Sequence, residues 1–161
     1  MLASAAAVGI LVPQILWVVD FTARIFDMAP TGMTAYMFDP NLALFYRGLS
    51  TFHGWLPGLL IYLLYSLGYD KRALWLWTAT AEALMLVCYF SMPAPPGPLR
   101  IHGATNPPVN INYVFGLSDQ ATQTMMPGLA WLGLLMVALP VVIFWPTHKV
   151  LMLWRGKGMA T

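Results

Sequence analysis

The chain has 161 residues, of which 59% are hydrophobic and only 9% charged, and its mean hydropathy is +0.67. Soluble domains carry about 25% charged residues, so a water-soluble fold of this size is excluded; the length admits four spans of about 20 residues and no separate soluble domain. The formal charge of +2 is spread over eight basic residues that form no dense run, which excludes nucleic acid as a partner, and the single cysteine, Cys88, excludes an intramolecular disulfide and a cysteine-based zinc site.

The first 19 residues are apolar from Met1 onward and lack the basic n-region of a secretory signal peptide. Span A is therefore expected to begin almost at Met1, with a natural extension preceding it, a hypothesis tested by looking for an in-frame start upstream. Span A covers about residues 2–21, with Pro13 and Gln14 near its middle, where a carbonyl freed by proline needs a partner and a kink is expected. Asp20 and Arg24 follow at i, i+4 spacing and are expected to pair at the membrane surface. The connection from Asp27 to Asn41 is rich in Met, Gly and Pro yet apolar, which suits an interfacial or partly re-entrant segment.

Asp39, Pro40 and Asn41 signal the start of span B, residues 42–67, whose apolar run is interrupted by Arg47 and His53. Gly68 to Arg72 make a short turn, which predicts that spans B and C are antiparallel neighbours. Span C, residues 73–92, carries Trp75 and Trp77 near one end, as in an aromatic belt, and Glu82 at its centre. The prolines of segment 93–124 forbid a continuous helix or a central strand, so it reads as a long external loop. Span D covers residues 125–145 and contains Pro127 and Pro140; the tail from Pro146, with His148, Lys149, Arg155 and Lys157, suits a short helix lying on the membrane surface. The expected fold is an all-α membrane bundle of about four transmembrane helices in a single domain, 1–161.

Four spans put both termini and the B to C turn on one side, with Lys71, Arg72, Lys149, Arg155 and Lys157 against Arg100, Arg24 and Arg47 on the other. By the positive-inside rule the termini face the cytoplasm of a multi-pass cell-membrane protein.

An ionisable group at bilayer depth costs roughly 2.5–3.5 kcal/mol on insertion scales, so each one demands a partner or a cavity. His53 lies 17 residues before Asp70 and Glu82 lies 12 beyond it, an offset that long side chains or one water could bridge. Paired, they would act as a catalytic base or proton relay, or as a buried hydrogen bond holding B against C. Arg47 is placed to snorkel to the interface or reach Asp20 or Asp39, and is a candidate substrate-binding residue together with Asp20. Asn110, Asn112 and Tyr113 alternate with Val109, Ile111 and Val114. That pattern suits an extended strand entering the bundle mouth, with Asn112 and Tyr113 binding substrate, or a structural lid stitched down by its asparagines. Cys88 reads as a buried, inert thiol. No phosphate loop, Ser-His-Asp motif, haem motif or metal-spaced histidine pair is present, so neither a metal nor another cofactor is expected.

FHGWLP (52–57), the short turn after it, and NINYVFG (110–116) before a final span resemble the YwaF-like family of polytopic membrane proteins. The resemblance covers about two-thirds of the chain. It implies membership among proteins whose eukaryotic relatives are lipid acyltransferases, with His53 at the family histidine, Asn112 and Tyr113 at its Asn-Tyr element, and Asp20 at its early acidic residue. The acyltransferase pattern places a nucleophilic cysteine beside that acid, where this sequence has Val19, so Thr22, Thr51 or Cys88 would have to substitute.

Two functions follow as expectations: binding or modification of a lipid-like molecule in a polar pocket around His53 and Glu82, or service as a noncatalytic membrane subunit or scaffold. Whether the chain is an enzyme is left open. Expected partners are membrane lipids and a membrane protein or a second copy of the chain. Ion transport would need polar groups across the full bilayer, and the sequence supplies only a central cluster.

Overall fold

The computed structural model describes residues 1–28, 30–95, 110–118 and 121–158, with side chains through residue 154. The stretch of the 93–124 loop that holds Arg100 and Val109, and the side chains of Arg155 and Lys157, lie outside the described residues.

Six α-helices account for most of the described residues, and no strand occurs among them: α1 (Leu2–Ile25), α2 (Leu44–Leu49), α3 (Phe52–Leu67), α4 (Ala73–Ser91), α5 (Gly128–Leu139) and α6 (Trp145–Gly158). In hydrocarbon every backbone N–H and C=O must be satisfied within the segment, which is why the apolar runs become helices. Three helical runs among the described residues are long and apolar enough to cross a membrane: α1, α4, and Gly128–Trp154, which takes in α5 and most of α6. The chain is thus a helical membrane protein.

Two expected spans differ from the single helices read in the sequence. Span B is split, because Ser50 and Thr51 turn their hydroxyls back onto the carbonyls of Tyr46 (3.3 Å) and Gly48 (2.7 Å). Such local bonds compete with helix propagation. The 16 residues of α3 rise about 24 Å, short of the ~30 Å hydrocarbon core. Span D, by contrast, does not stop before Pro146. A π turn at Pro140–Phe144 absorbs the missing Pro140 donor, and the tail continues as α6 instead of forming a separate surface helix.

The contacts fall into two compact units, Met1–Trp77 with Trp145–Thr161, and Thr78–Phe144. In the first, α1 is the central element. Its buried residues Ser4, Ala7, Val8, Leu11, Gln14, Trp17 and Asp20 recur every three to four positions and so share one face. Along this face α1 packs against α3, and it also meets α6. The sequence neighbourhood of spans B and C had suggested α4 as the partner of α3, whereas within this unit the partner is α1. Small residues let the helices approach: a Cβ on Gly9 would fall 1.6 Å from the Trp77 ring. The second unit is centred on Met85, Cys88, Val114 and Leu132, with Tyr89, Phe115, Leu135 and Met136 packed around them.

Candidate functional site

Asp20 ends the buried face of α1 and is only 1% exposed. The chain leaves α1, turns through Gly32 at φ 76°, and brings a threonine-rich loop back over the carboxylate. Oδ1 accepts from Thr31 N (2.8 Å), Thr31 Oγ1 (2.7 Å) and Gly32 N (3.1 Å), while Oδ2 accepts from Thr34 N (3.0 Å) and Thr34 Oγ1 (2.7 Å). Five donors converge on a carboxylate with about four lone-pair sites, three of them sharing Oδ1, so no acceptor position is left open. The expected Asp20–Arg24 pair is therefore not formed: Asp20 turns inward to the loop, and the Arg24 guanidinium lies over the Phe38 ring at 5.8 Å. Trp17, one turn before Asp20, fixes the same connection by donating Nε1–H to Tyr36 Oη at 3.1 Å.

His53 sits near the start of α3, half-buried, with Phe52 and Trp17 packed against its ring at centroid distances of 3.9 and 4.9 Å. Its Nδ1 lies 2.6 Å from the Gln14 amide oxygen. With that oxygen accepting, Nδ1 carries the proton and a neutral ring keeps its other lone pair on Nε2. Glu82 belongs to the second unit, half-buried at the tenth position of the 19-residue α4. Within that unit it makes no hydrogen bond or ion pair among the described residues.

Arg47, on α2, donates Nη1–H to the Met37 carbonyl at 3.3 Å, and its buried Nε–H has no partner among the described residues. The acids it was expected to reach are otherwise engaged, Asp20 by the threonine loop and Asp39 by Asn41 N (2.8 Å) and Asn41 Nδ2 (3.1 Å). Arg47 thus braces the 3₁₀ turn Ala35–Phe38 against α2.

The segment around Asn112 and Tyr113 is a 3₁₀ turn, Ile111–Tyr113, and not the extended strand that the alternation suggested. Asn112 and Tyr113 both have left-handed backbones, φ 57° and 55°, a conformation that asparagine tolerates better than most residues. Asn112 Nδ2 donates to Cys88 Sγ at 3.2 Å, and the Tyr113 carbonyl accepts from Trp131 Nε1 at 2.9 Å. The organising residue is Asn110, 2% exposed: its Nδ2 donates to the carbonyls of Gly116 (2.7 Å) and Ser118 (3.1 Å), and its Oδ1 accepts from Phe115 N (3.2 Å). Asn110 thus ties the loop 110–118 to itself.

One buried cluster escaped the sequence reading. The Tyr69 hydroxyl and His148 Nδ1 lie 2.5 Å apart, both residues buried, and Ser4 Oγ accepts from Asp70 N at 3.0 Å. Ser4 was visible as the one hydroxyl in an alanine-rich stretch, but nothing in the sequence spacing joins Tyr69 to His148. A cleft of about 290 Å³ opens at the end of α1, lined by Arg24, Asp27, Met28 and Phe38. Among the described residues no three His, Cys, Asp or Glu side chains gather as a metal ion would need. No family model matches the sequence, and no curated protein or solved structure matches it significantly.

Proposed function

We propose that this chain is a noncatalytic membrane subunit whose interior polar groups hold its own fold and whose outward apolar helix faces take partners. The observation that carries this reading is the internal pairing of the side chains that chemistry would need. Covalent catalysis requires a nucleophile within hydrogen-bond reach of a base. Here the His53 Nδ1 is engaged by Gln14, the Thr51 hydroxyl by the Gly48 carbonyl and the Cys88 sulfur by Asn112. The one hydroxyl that meets a histidine among the described residues, Tyr69 at His148, is buried with it and pushed up to about 12, the opposite of an activated nucleophile. Helix exposure supports the second half of the proposal. Of the most apolar stretch of each span, 39% is buried within the protein for α1 but only 17% for α4 and for Gly128–Trp154.

A second reading, binding of a lipid-like molecule, is favoured by the cleft at the end of α1. Arg24 offers a cation for a phosphate, Asp27 an anion for an ammonium, and Phe38 an aromatic face, the complement of a zwitterionic headgroup. In this reading His53 Nε2, in the same unit as the cleft, is a further atom with a lone pair to offer a ligand. In either case the chain resides in the cell membrane, and the proposed orientation takes α2 and α3 together as a fourth crossing, which sets both termini and the Gly68–Arg72 turn on the cytoplasmic side with most of the basic residues.

Native mass spectrometry with lipid analysis of wild type and His53→Ala tests the choice. The same lipids and the same assembly in both support the subunit reading. A defined lipid held by wild type and lost or chemically altered in the variant supports the lipid reading and overturns the first.

A further inference from the structure

The 24 residues of α1 rise about 36 Å, more than the ~30 Å hydrocarbon core, so its last turn emerges among lipid headgroups. There Asp27 N donates to the Arg24 carbonyl at 3.1 Å and Met28 N to the Ala23 carbonyl at 3.1 Å, a helix stop whose left-handed residue is ordinarily glycine. Here that residue is Asp27, at φ 57°, and its carboxylate stands at the negative end of the helix dipole. No side-chain hydrogen bond or ion pair offsets this among the described residues. Arg24 lines the same cleft of about 290 Å³ without pairing to Asp27; its guanidinium lies over the Phe38 ring at 5.8 Å and makes no hydrogen bond among the described residues. Two opposite charges thus share one cleft, neither of them neutralised by the protein, and all of its lining residues belong to one unit.

We infer that this cleft holds the phosphoethanolamine headgroup of a membrane lipid, its phosphate on Arg24 and its primary ammonium on Asp27. An arginine without a hydrogen-bond partner takes a phosphate through parallel N–H donors. The Phe38 ring is engaged by Arg24 and by Phe21, whose centroid lies 5.4 Å away, which leaves Asp27 as the cleft's main hold on an ammonium. A carboxylate accepts N–H donors, which a primary ammonium has and the quaternary ammonium of choline lacks. The last carbonyls of α1 favour a cation at the same place. At about 290 Å³ the cleft suits a headgroup alone, just below the ~300–1,000 Å³ of sites that enclose whole small ligands. The exposed Ile25, Phe26 and Met28 offer the acyl chains an apolar surface, and a soluble phosphoethanolamine has no chains to lay on it. The inference rests on the lipid reading of this cleft and names its ligand; since no bond is made or broken, a noncatalytic subunit can hold such a lipid.

The test titrates the full chain in detergent, by native mass spectrometry, with phosphatidylethanolamine, its N-methyl and N,N-dimethyl forms, and phosphatidylcholine of identical acyl chains. Wild type should bind the ethanolamine lipid about tenfold more tightly than the choline lipid, with affinity falling along the methyl series as charge-assisted donors are lost. Asp27→Gly should melt no lower than wild type, because glycine suits the left-handed turn, yet bind both lipids alike. Arg24→Gln should weaken both about tenfold. Should a variant fail to fold, the methyl series on wild type still decides. Equal affinity along that series, or selectivity kept by Asp27→Gly, would overturn the ethanolamine assignment; if Arg24→Gln still weakens binding, the lipid reading of the cleft survives it. No lipid whose binding depends on Arg24 would overturn both. Displacement of the lipid by an equal concentration of glycerophosphoethanolamine would overturn the lipid as the source of the headgroup. An ethanolamine lipid bound as expected but chemically altered would overturn the subunit reading alone.

Discussion

Replacing Asp20 separates the value of its hydrogen bonds from that of its packing. In Asp20→Asn the remaining amide oxygen can keep Thr31 N, Thr31 Oγ1 and Gly32 N, while the new NH₂ faces Thr34. The Thr34 hydroxyl can rotate and accept, but the Thr34 N–H cannot, so one buried donor is stranded at a residue that is 0% exposed. A stranded donor costs about 1–3 kcal/mol. Asp20→Ala removes both oxygens and strands the three backbone N–H groups of Thr31, Gly32 and Thr34, roughly 3 kcal/mol or more by the same rule and enough to release the loop from α1. The expected order of stability is wild type, then Asn, then Ala. Thermal unfolding in detergent followed by tryptophan fluorescence reads that order, and amide hydrogen exchange at residues 31–34 localises the loss. An alanine variant with wild-type melting and unchanged protection of those amides would refute the assignment of Asp20 as the anchor of the loop.

Gly9→Ala should destabilise by about 1–3 kcal/mol, because the new methyl overlaps the Trp77 ring, while Gly133→Ala, inside α5 with nothing within 4 Å, should melt no lower than wild type. Asn110→Ala leaves two carbonyls and the Phe115 N–H without their partner, so limited proteolysis should cut segment 110–118 at protease concentrations that spare wild type. Burial, with the Asp70 carboxylate adding to it, pushes the Tyr69 hydroxyl up to about 12 from its ordinary 10. Because the folded value is the higher one, the stability contributed by the neutral hydroxyl is complete below pH 10 and is lost as pH rises through 10 to 12. Tyr69→Phe should lower the melting temperature at neutral pH and flatten its decline across that window.

The spans that could be read closely from sequence were those whose apolar runs define their own limits. Residues 2–21 became Leu2–Ile25, and 73–92 became Ala73–Ser91. Span B failed as one helix at Gly48, Ser50 and Thr51, where weak helix formers with hydroxyls that bond the preceding turn outweigh the apolar average around them. The candidate site was legible as a set of residues but not as a set of partners. Asp20 looked one turn ahead to Arg24, since i, i+4 is the rule along a helix, yet its donors come from a loop 11 to 14 residues on. The alternation through Asn110, Asn112 and Tyr113 imitates a strand, but the two left-handed residues bend it into a turn. Tyr69 and His148, 79 positions apart, meet only because α6 returns to α1.

The polar groups of this chain therefore sort by how they are answered. Asp20, Gln14 with His53, Ser4 with Asp70 N, and Tyr69 with His148 all find partners from another element of the same unit, and each joins segments that apolar contact alone would leave free to slide. In lipid the apolar faces of helices gain little by meeting one another, so such bonds determine which helix lies against which. That explains why α3 follows α1: Gln14 and His53 fix the register, and Trp17 stacks on the same imidazole.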